Sequence, residues 1–561
     1  MSTTTKDNTL SPSTLTGHID FGDVGVGPDG ERFLRVSIDD GSEEGPVSTL
    51  LRIDDLASSQ ARRFDVLNRQ NAHLISSPAR SELSRRIQYL GPQQATFNVA
   101  TRVGPFGDSF VLPDQVVSAS NEKVETWFDD GLADYLSWGR EGGTLEGWRQ
   151  LERLAVGNSR LILALGVAFV GPLRLITPIE PVAFQLTGLG GTGKTTIGAV
   201  ASSVWGQRLL GGAPHPLCGG DSWNNTLNNL ERVLATRDHT FSFLNEGHLV
   251  SAKDLVAAIF LICEGQGKGR YTEVRRWDWF APVFGTSNDS VAETLWKAGE
   301  PLERAAFDRL IDIPLPRGGF GAFENLRGSA TVGDFCFLRL KPIYDVEHGV
   351  VGRDYIFKIL HELANDKAGL ASWVQARREV FVRGARERVS ADPDHGRVIG
   401  HFATVFAALM LAARFELLCL PKGGAGRALL TCLRDHLRVT ASEIARVVAA
   451  SPEALLKAYV QQNRASFVTL NRAPLPRGHV HAACPGYVYE ASGRTWFGFR
   501  APMLEVVVGG RGARDALCRQ LDLRGLVRKV GGGKDGDRYA TKVRVGEERK
   551  YLHCFDSSVF D

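Results

Sequence analysis

The chain has 561 residues, 43% apolar and 23% charged, the balance of a folded, water-soluble protein with room for about two to four domains rather than of a disordered or fibrous one. A net charge of only +3 excludes strong whole-molecule attraction for nucleic acid, so contacts with phosphates must come from local patches. The eight cysteines are scattered and form no CxxC pair, which argues against a disulfide framework and for a reducing compartment.

Residues 1–16, rich in Ser, Thr and Asn, read as a disordered tail without a signal-peptide core or basic leader. From Gly17 onward, β-rich runs such as Arg32–Ile38 and Ala95–Ala100 alternate with polar helix-like stretches. They suggest a small α/β domain over 17–143. A helical segment from Thr144 to Leu175 follows. Within it Leu161–Val170 is the best membrane candidate, but it is about half the length of a span and Gly171-Pro172 ends it. The expectation is a buried helix, no membrane contact and a cytoplasmic location.

Val182–Thr187 then reads as a strand and Thr196–Trp205 as a helix. Between them Gly188-Leu-Gly-Gly-Thr-Gly-Lys-Thr195 fits GxxxxGK[ST]. Glycines let such a loop curl its N–H groups toward phosphates, and the helix N-terminus adds a favourable dipole. Gly188, Gly190, Gly191, Thr192, Gly193, Lys194, Thr195 and Thr196 are therefore the expected nucleotide ligands. Lys194 would reach the β- and γ-phosphates of ATP, and the Thr195 hydroxyl would hold Mg²⁺.

Phe241–Leu244 is an apolar strand ending in Asn245-Glu246, where a second nucleotide strand should present an acid to the metal and then a Glu to polarise water. Glu246 suits the second role. Asn245 brings no charge to a magnesium shell but can accept a hydrogen bond from metal-bound water, so slowed hydrolysis is expected. Pro282–Asn288 is a further strand with a polar tip, and Asn288 is the first choice for sensing the γ-phosphate, Thr286 the second. In Phe307–Pro314, Arg309 (alternatively Arg304) could act on a neighbouring subunit's nucleotide as an arginine finger. An intrachain salt bridge to Asp308 or Asp312 is the competing reading.

Between the last two strands lies Glu264–Trp279. Its glycines suggest a flexible tip, and Tyr271–Trp279 a hairpin carrying aromatics. Lys268, Arg270, Arg275 and Arg276 would neutralise phosphates while the aromatics stack on bases; a solvated surface hairpin is the bland alternative. Tyr355–Ala385 and His401–Ala450 show apolar residues at helical spacing. Near the C-terminus, helix Ala513–Gly525, strand Leu526–Val530, turn Gly531–Gly536 and strand Tyr539–Val545 resemble the end of a winged helix. Arg511 to Lys550 holds twelve Lys or Arg against six Asp or Glu. Arg528, Lys529, Lys542 and Arg544 are its expected DNA contacts, although winged helices also serve as protein contacts. His479, His481 and Cys484 supply three candidate ligands where structural zinc takes four, and so read as a loop.

Taken together, Gly143–Trp148, Gly157-Asn158, Trp223–Glu231, Gly265–Arg270, Arg309–Pro314 and Gly319–Gly328 resemble segments of the family catalogued as domain of unknown function 927, helicase-like ATPases of phages, plasmids and other mobile elements. The resemblance implies an α/β fold with a P-loop AAA+-type core over 144–330, the N-terminal α/β domain, a helical region over 331–470 and a winged-helix-like end over 471–561. It implies a homo-oligomeric ring, expected to be a hexamer, acting on single-stranded DNA near replication of mobile DNA. This chain departs from the family where Asn245-Glu246 stands for Asp-Glu, and where Thr286-Ser-Asn-Asp289 replaces an STGE-like turn. Two rivals to the DNA helicase or translocase stay open: a nucleotide-gated DNA-binding ATPase with weak hydrolysis, and a protein-remodelling ring.

Overall fold

The structure is a computed structural model that describes residues 19–38, 46–57, 95–120, 123–133, 135–269, 276–298, 300, 304–389, 395–449, 451–470, 484–529 and 539–560. The expected tail, Arg270, Tyr271, Arg275, the Gly531–Gly536 turn, His479 and His481 lie outside them.

The fold is mixed α/β, with several sheets and many helices. At its centre five strands run parallel in the order Asp221–Ser222, Ser242–Asn245, Val283–Ser287, Ala183–Thr187, Leu310–Pro314. Ala183–Thr187 and Val283–Ser287 are buried along their whole length, as expected where helices cover both faces of a parallel sheet. On one face, Phe184 and Leu186 join a core that includes Ile162, Leu165, Phe402 and Leu429. The Phe184 and Phe402 rings meet edge to face at 5.0 Å. On the other face, Ala183, Leu244, Val283 and Leu310 pack with Trp223, Leu230 and Ile259.

Local chemistry sets the helix limits. Thr144, Thr226 and Ser251 each accept a backbone N–H with the side-chain oxygen and open the helices Leu145–Ala155, Leu227–Ala235 and Ala252–Glu264. Gly265, at φ 68°, ends the last of these in the left-handed conformation that glycine adopts without strain. The helix Ser159–Ala168 is buried at every residue. Gly396–Arg414 is long and apolar enough to cross a membrane by length and composition alone, yet 67% of that stretch is buried inside the fold. Both are core helices packed on the central sheet.

An ion cluster ties these helices to the strand edge. Arg160, with no exposed side-chain surface, pairs with Asp435 at 2.5 Å and Glu324 at 3.1 Å and donates to the Pro314 carbonyl. A buried charge is tolerable only when paired and hydrogen-bonded in this way.

Two further five-stranded sheets flank the centre. The first is mixed, in the order Val47–Arg52, Arg32–Ile38, Ile19–Val26, Phe97–Ala100, Val124–Thr126. The last has the order Val468–Thr469, Tyr487–Ala491, Arg494–Phe499, Glu548–Asp556, Ala540–Val545. Here the expected strand–turn–strand is corrected. Leu526–Lys529, the described part of the first stretch, is not a hairpin partner of Ala540–Val545. Val527 bridges Phe555, and Ala540 bridges His553, both antiparallel. The described residues Leu526–Arg528 and Ala540–Val545 both pair along one edge of Glu548–Asp556. The partner of Ala540–Val545 is Glu548–Asp556 itself, reached through Gly546-Glu547. Within its buried end, His553–Asp556 pair on both edges.

Candidate nucleotide-binding site

The carboxyl ends of the parallel strands all emerge on one side, where ligands of open α/β sheets bind. There a cavity of about 450 Å³ is lined by Gly190–Thr196, Asn245, Glu246, His248, Thr286, Ser287 and Asn288, with Val332, Gly333, Cys336 and Phe337 completing its wall. The loop from Gly188 to Gly193 leads directly into the helix Lys194–Ser202. Gly193 sits at φ 88°, and a Cβ there would lie 2.5 Å from the Phe323 ring and 3.1 Å from the Cys336 sulfur. Glycine is required on both counts.

The Lys194 side chain is almost wholly buried. Its ammonium donates to the Gly188 and Leu189 carbonyls at 2.6 and 2.7 Å, with Asn288 Oδ1 3.5 Å away. Burial lowers its pKa from the usual lysine value. Thr195 Oγ1 donates to Asn245 Oδ1 at 3.0 Å, and Thr286 Oγ1 donates to the same oxygen at 2.5 Å. Thr286 in turn accepts the Glu246 N–H at 3.3 Å. Glu246 has φ 65° and ψ 49°, a conformation that costs a non-glycine residue about 1–2 kcal/mol. Such an outlier at a cavity wall is where strain collects at functional sites. Lys194, Thr195, Asn245, Glu246, Thr286 and Asn288 thus converge from three separate strand ends.

The oxygens of Thr195 and Asn245 form a neutral pair beside the one carboxylate, Glu246. That set fits Mg²⁺ only in company with phosphate oxygens, the usual situation for this ion. Among the described residues no group of three or more His, Cys, Asp or Glu is placed to hold a metal by itself.

Arg309 is half-buried on its own chain. Its guanidinium lies 4.8 Å from the Phe260 ring centre and donates to the Ala305 carbonyl at 2.9 Å. Asp312 is engaged elsewhere, by Gln185 Nε2 and the Val291 N–H. Arg304 begins the short helix Arg304–Phe307.

The expected hairpin has a different base. Gln266 bridges Asp278, Gly267 N–H donates to the Trp277 carbonyl and Trp279 N–H to the Gly265 carbonyl. Gly265 and Gly267 therefore belong to one leg, not to the tip. Trp279 is only 5% exposed and half-buried Trp277 packs against the same core, so the Trp279 ring anchors the hairpin base and is not available to stack on bases. Lys268 and Arg276 are exposed. Glu231, fully buried, accepts the Lys268 N–H at 3.2 Å.

In the last sheet Lys542 and Arg544 alternate with buried residues on the outward face. Arg528 instead lies over Tyr489, its guanidinium carbon 5.2 Å from the ring centre, and Lys529 pairs with Asp522 at 2.5 Å. Both cations, half-buried Arg528 and exposed Lys529, thus already have partners on this chain. Cys484 is buried and donates to the Gly486 carbonyl.

Sequence reasoning missed His248 and the wall from Val332 to Phe337. The available signal for the wall was the apolar run Phe335-Cys-Phe-Leu338 just after the Thr331 turn, where Thr331 and Asp334 form a reciprocal capping box. It carries no phosphate-binding chemistry.

Comparison with known proteins follows this geometry. Residues 4–274 match the family model described as Domain of unknown function (DUF927). A solved structure described as "SCCmec type IV Cch - active helicase" is similar at 18% identity and a TM-score of 0.59, over 97% of this chain and 94% of that one. Another, "The A form apo structure of NrS-1 C terminal region-CTR", matches at 12% identity and a TM-score of 0.26, over 72% of this chain and 89% of that one. No curated protein matches this chain. At these identities the first likeness is one of fold.

Proposed function

We propose, from the match of residues 4–274 to the family model described as Domain of unknown function (DUF927) and from the site's geometry, that this chain is an ATP- and Mg²⁺-dependent DNA helicase or translocase of a mobile genetic element, working as a homo-oligomeric ring. The observation that carries the reading is the convergence of Lys194, Thr195, Asn245, Glu246 and Asn288 on one cavity at the strand ends. The strand order supports an AAA+-type core, since the strand bearing Asn288's loop lies between the phosphate-loop strand and the Asn245 strand.

In this reading 144–330 form the ATPase core, flanked by 17–143, a helical region over 331–470 and a winged-helix-like end over 471–561. Lys194 exchanges its two loop carbonyls for β- and γ-phosphate oxygens. Thr195 and Asn245 would hold Mg²⁺, which would supply charge neutralisation at the phosphates. Glu246 takes a proton from the attacking water, and Asn288 orients that water against the γ-phosphate. Arg309 leaves the Phe260 ring to complete a neighbouring subunit's site. Lys268, Arg270, Arg275 and Arg276 contact a strand in the ring centre; Lys542 and Arg544, with Arg528 and Lys529 behind them, contact DNA at the periphery.

One observation favours a second reading. Asn245 contributes no charge and is held by two hydroxyls, which suits a nucleotide-gated DNA-binding ATPase with weak hydrolysis. DNA-stimulated turnover and native mass with ATP and single-stranded DNA separate the two. A ring that turns over briskly on DNA supports the motor. A chain that stays monomeric at saturating nucleotide and oligonucleotide refutes it.

A further inference from the structure

The cavity has two chemically different ends. Gly190–Thr195, Asn245, Glu246 and Asn288 supply N–H groups, hydroxyls, amides and one carboxylate. A second part of the lining is Val332, Gly333, Cys336 and Phe337, none of which offers a charge or an amide side chain. This wall stands beside the helix N-terminus, since a Cβ at Gly193 would meet the Cys336 sulfur at 3.1 Å.

Phe337 is 65% exposed although it lines a cavity, and Leu338 beside it is 68% exposed. They stand on a π-helical turn, Phe335–Leu340, a rare distortion that concentrates at functional sites. Phe335 points the other way and is buried edge to face against Phe323, ring centres 5.0 Å apart. The turn is therefore anchored by one ring while presenting another. An aromatic face offered beside a phosphate-binding loop matches the flat apolar face of a nucleobase, and stacking of this kind contributes about 1–3 kcal/mol per base.

We propose that Val332, Cys336 and Phe337 form the seat of the nucleobase, and that the base is held by stacking and apolar contact without being read along its edge. The proposal rests on the nucleotide-binding reading above and specifies its substrate class: a nucleoside triphosphate of low base selectivity. Of Val332, Gly333, Cys336 and Phe337, only Cys336 carries a polar side-chain atom, and a thiol is a weak donor and acceptor. A site that hydrogen-bonds a substrate group rejects the analogue lacking it by about 10⁴-fold or more, whereas apolar contact discriminates by only about ten- to a few hundredfold.

The test is equilibrium binding, with Mg²⁺, of ATP, GTP, CTP, UTP and inorganic tripolyphosphate to the full chain and to Lys194→Ala, Phe337→Ala and Phe337→Trp. The expected result has all four nucleotides within about a hundredfold of one another. Phe337→Ala weakens ATP about tenfold without changing tripolyphosphate, and Phe337→Trp restores ATP. Because Phe337 is exposed, the fold does not depend on it, and matching melting curves check this. The inference is overturned if Phe337→Ala affects ATP and tripolyphosphate equally, if it affects neither, or if one base binds more than about a thousandfold tighter than the rest. Nucleotide binding that Lys194→Ala leaves intact refutes the phosphate-site reading instead, a separate outcome.

Discussion

Asn245→Asp restores a charge beside the proposed metal without altering the scaffold. Asn245 is 7% exposed and its Oδ1 accepts hydrogen bonds from Thr195 at 3.0 Å and Thr286 at 2.5 Å. An aspartate can accept both, because a carboxylate has acceptors to spare. What changes is the charge. At about 4 Å and an effective dielectric of about 20, each unit pair contributes about 4 kcal/mol, so a dication gains about twice that. Desolvating a nearly buried carboxylate costs several kcal/mol, and Glu246 alongside adds like-charge repulsion. The remainder is about 1.4–3 kcal/mol, or about a ten- to hundredfold lower Mg²⁺ half-saturation. ATP turnover titrated with Mg²⁺ at fixed ATP and single-stranded DNA measures it, with melting curves to confirm folding. An unchanged or higher half-saturation in a normally folded variant refutes the placement of the metal beside Asn245.

Glu246→Gln is expected to keep nucleotide affinity while lowering turnover about a hundred- to ten-thousandfold, the usual scale for losing a general base; turnover within a factor of about two of wild type removes Glu246 from that role. Gly193→Ala forces a Cβ to 2.5 Å from Phe323 at φ 88°, and should cost about 1–3 kcal/mol in chemical denaturation together with nucleotide binding. His401 and His436 are each held at a pKa of about 4 by burial, below the value of about 6.5 in an unfolded chain. The unfolded state therefore binds more protons between those values, so this stability is complete above about pH 6.5 and is lost as the pH falls toward about 4. Each histidine contributes up to about 3 kcal/mol, and melting temperature followed across that window checks it; a flat profile contradicts the burial argument.

Much of the central sheet was legible because its signals are local. The glycine spacing from Gly188 to Gly193, the apolar runs at 182–187, 241–244 and 282–288, and capping residues such as Thr144 each act within a few residues of themselves. The C-terminal sheet was less so. Leu526–Val530 and Tyr539–Val545 look like two arms of a hairpin, and nothing nearby says that both align on Glu548–Asp556. The tryptophans at 277 and 279 looked like stacking platforms for the same reason: aromatic character is local, whereas burial depends on Leu230, Leu255 and Ile259 arriving from other segments.

By itself, then, the order of amino acids determined where the phosphate loop lies, which residues end the strands beside it, and the family resemblance, since backbone conformation and strand-end polarity follow from neighbouring residues. Only the tertiary structure decided that Thr286 shares Asn245 with Thr195, that Phe337 lines the same cavity as the loop, that Arg309 rests on Phe260, and that Arg528 lies over Tyr489 while Lys529 pairs with Asp522. Those pairings join residues far apart in the chain, and they depend on the packing of helices and strands against one another.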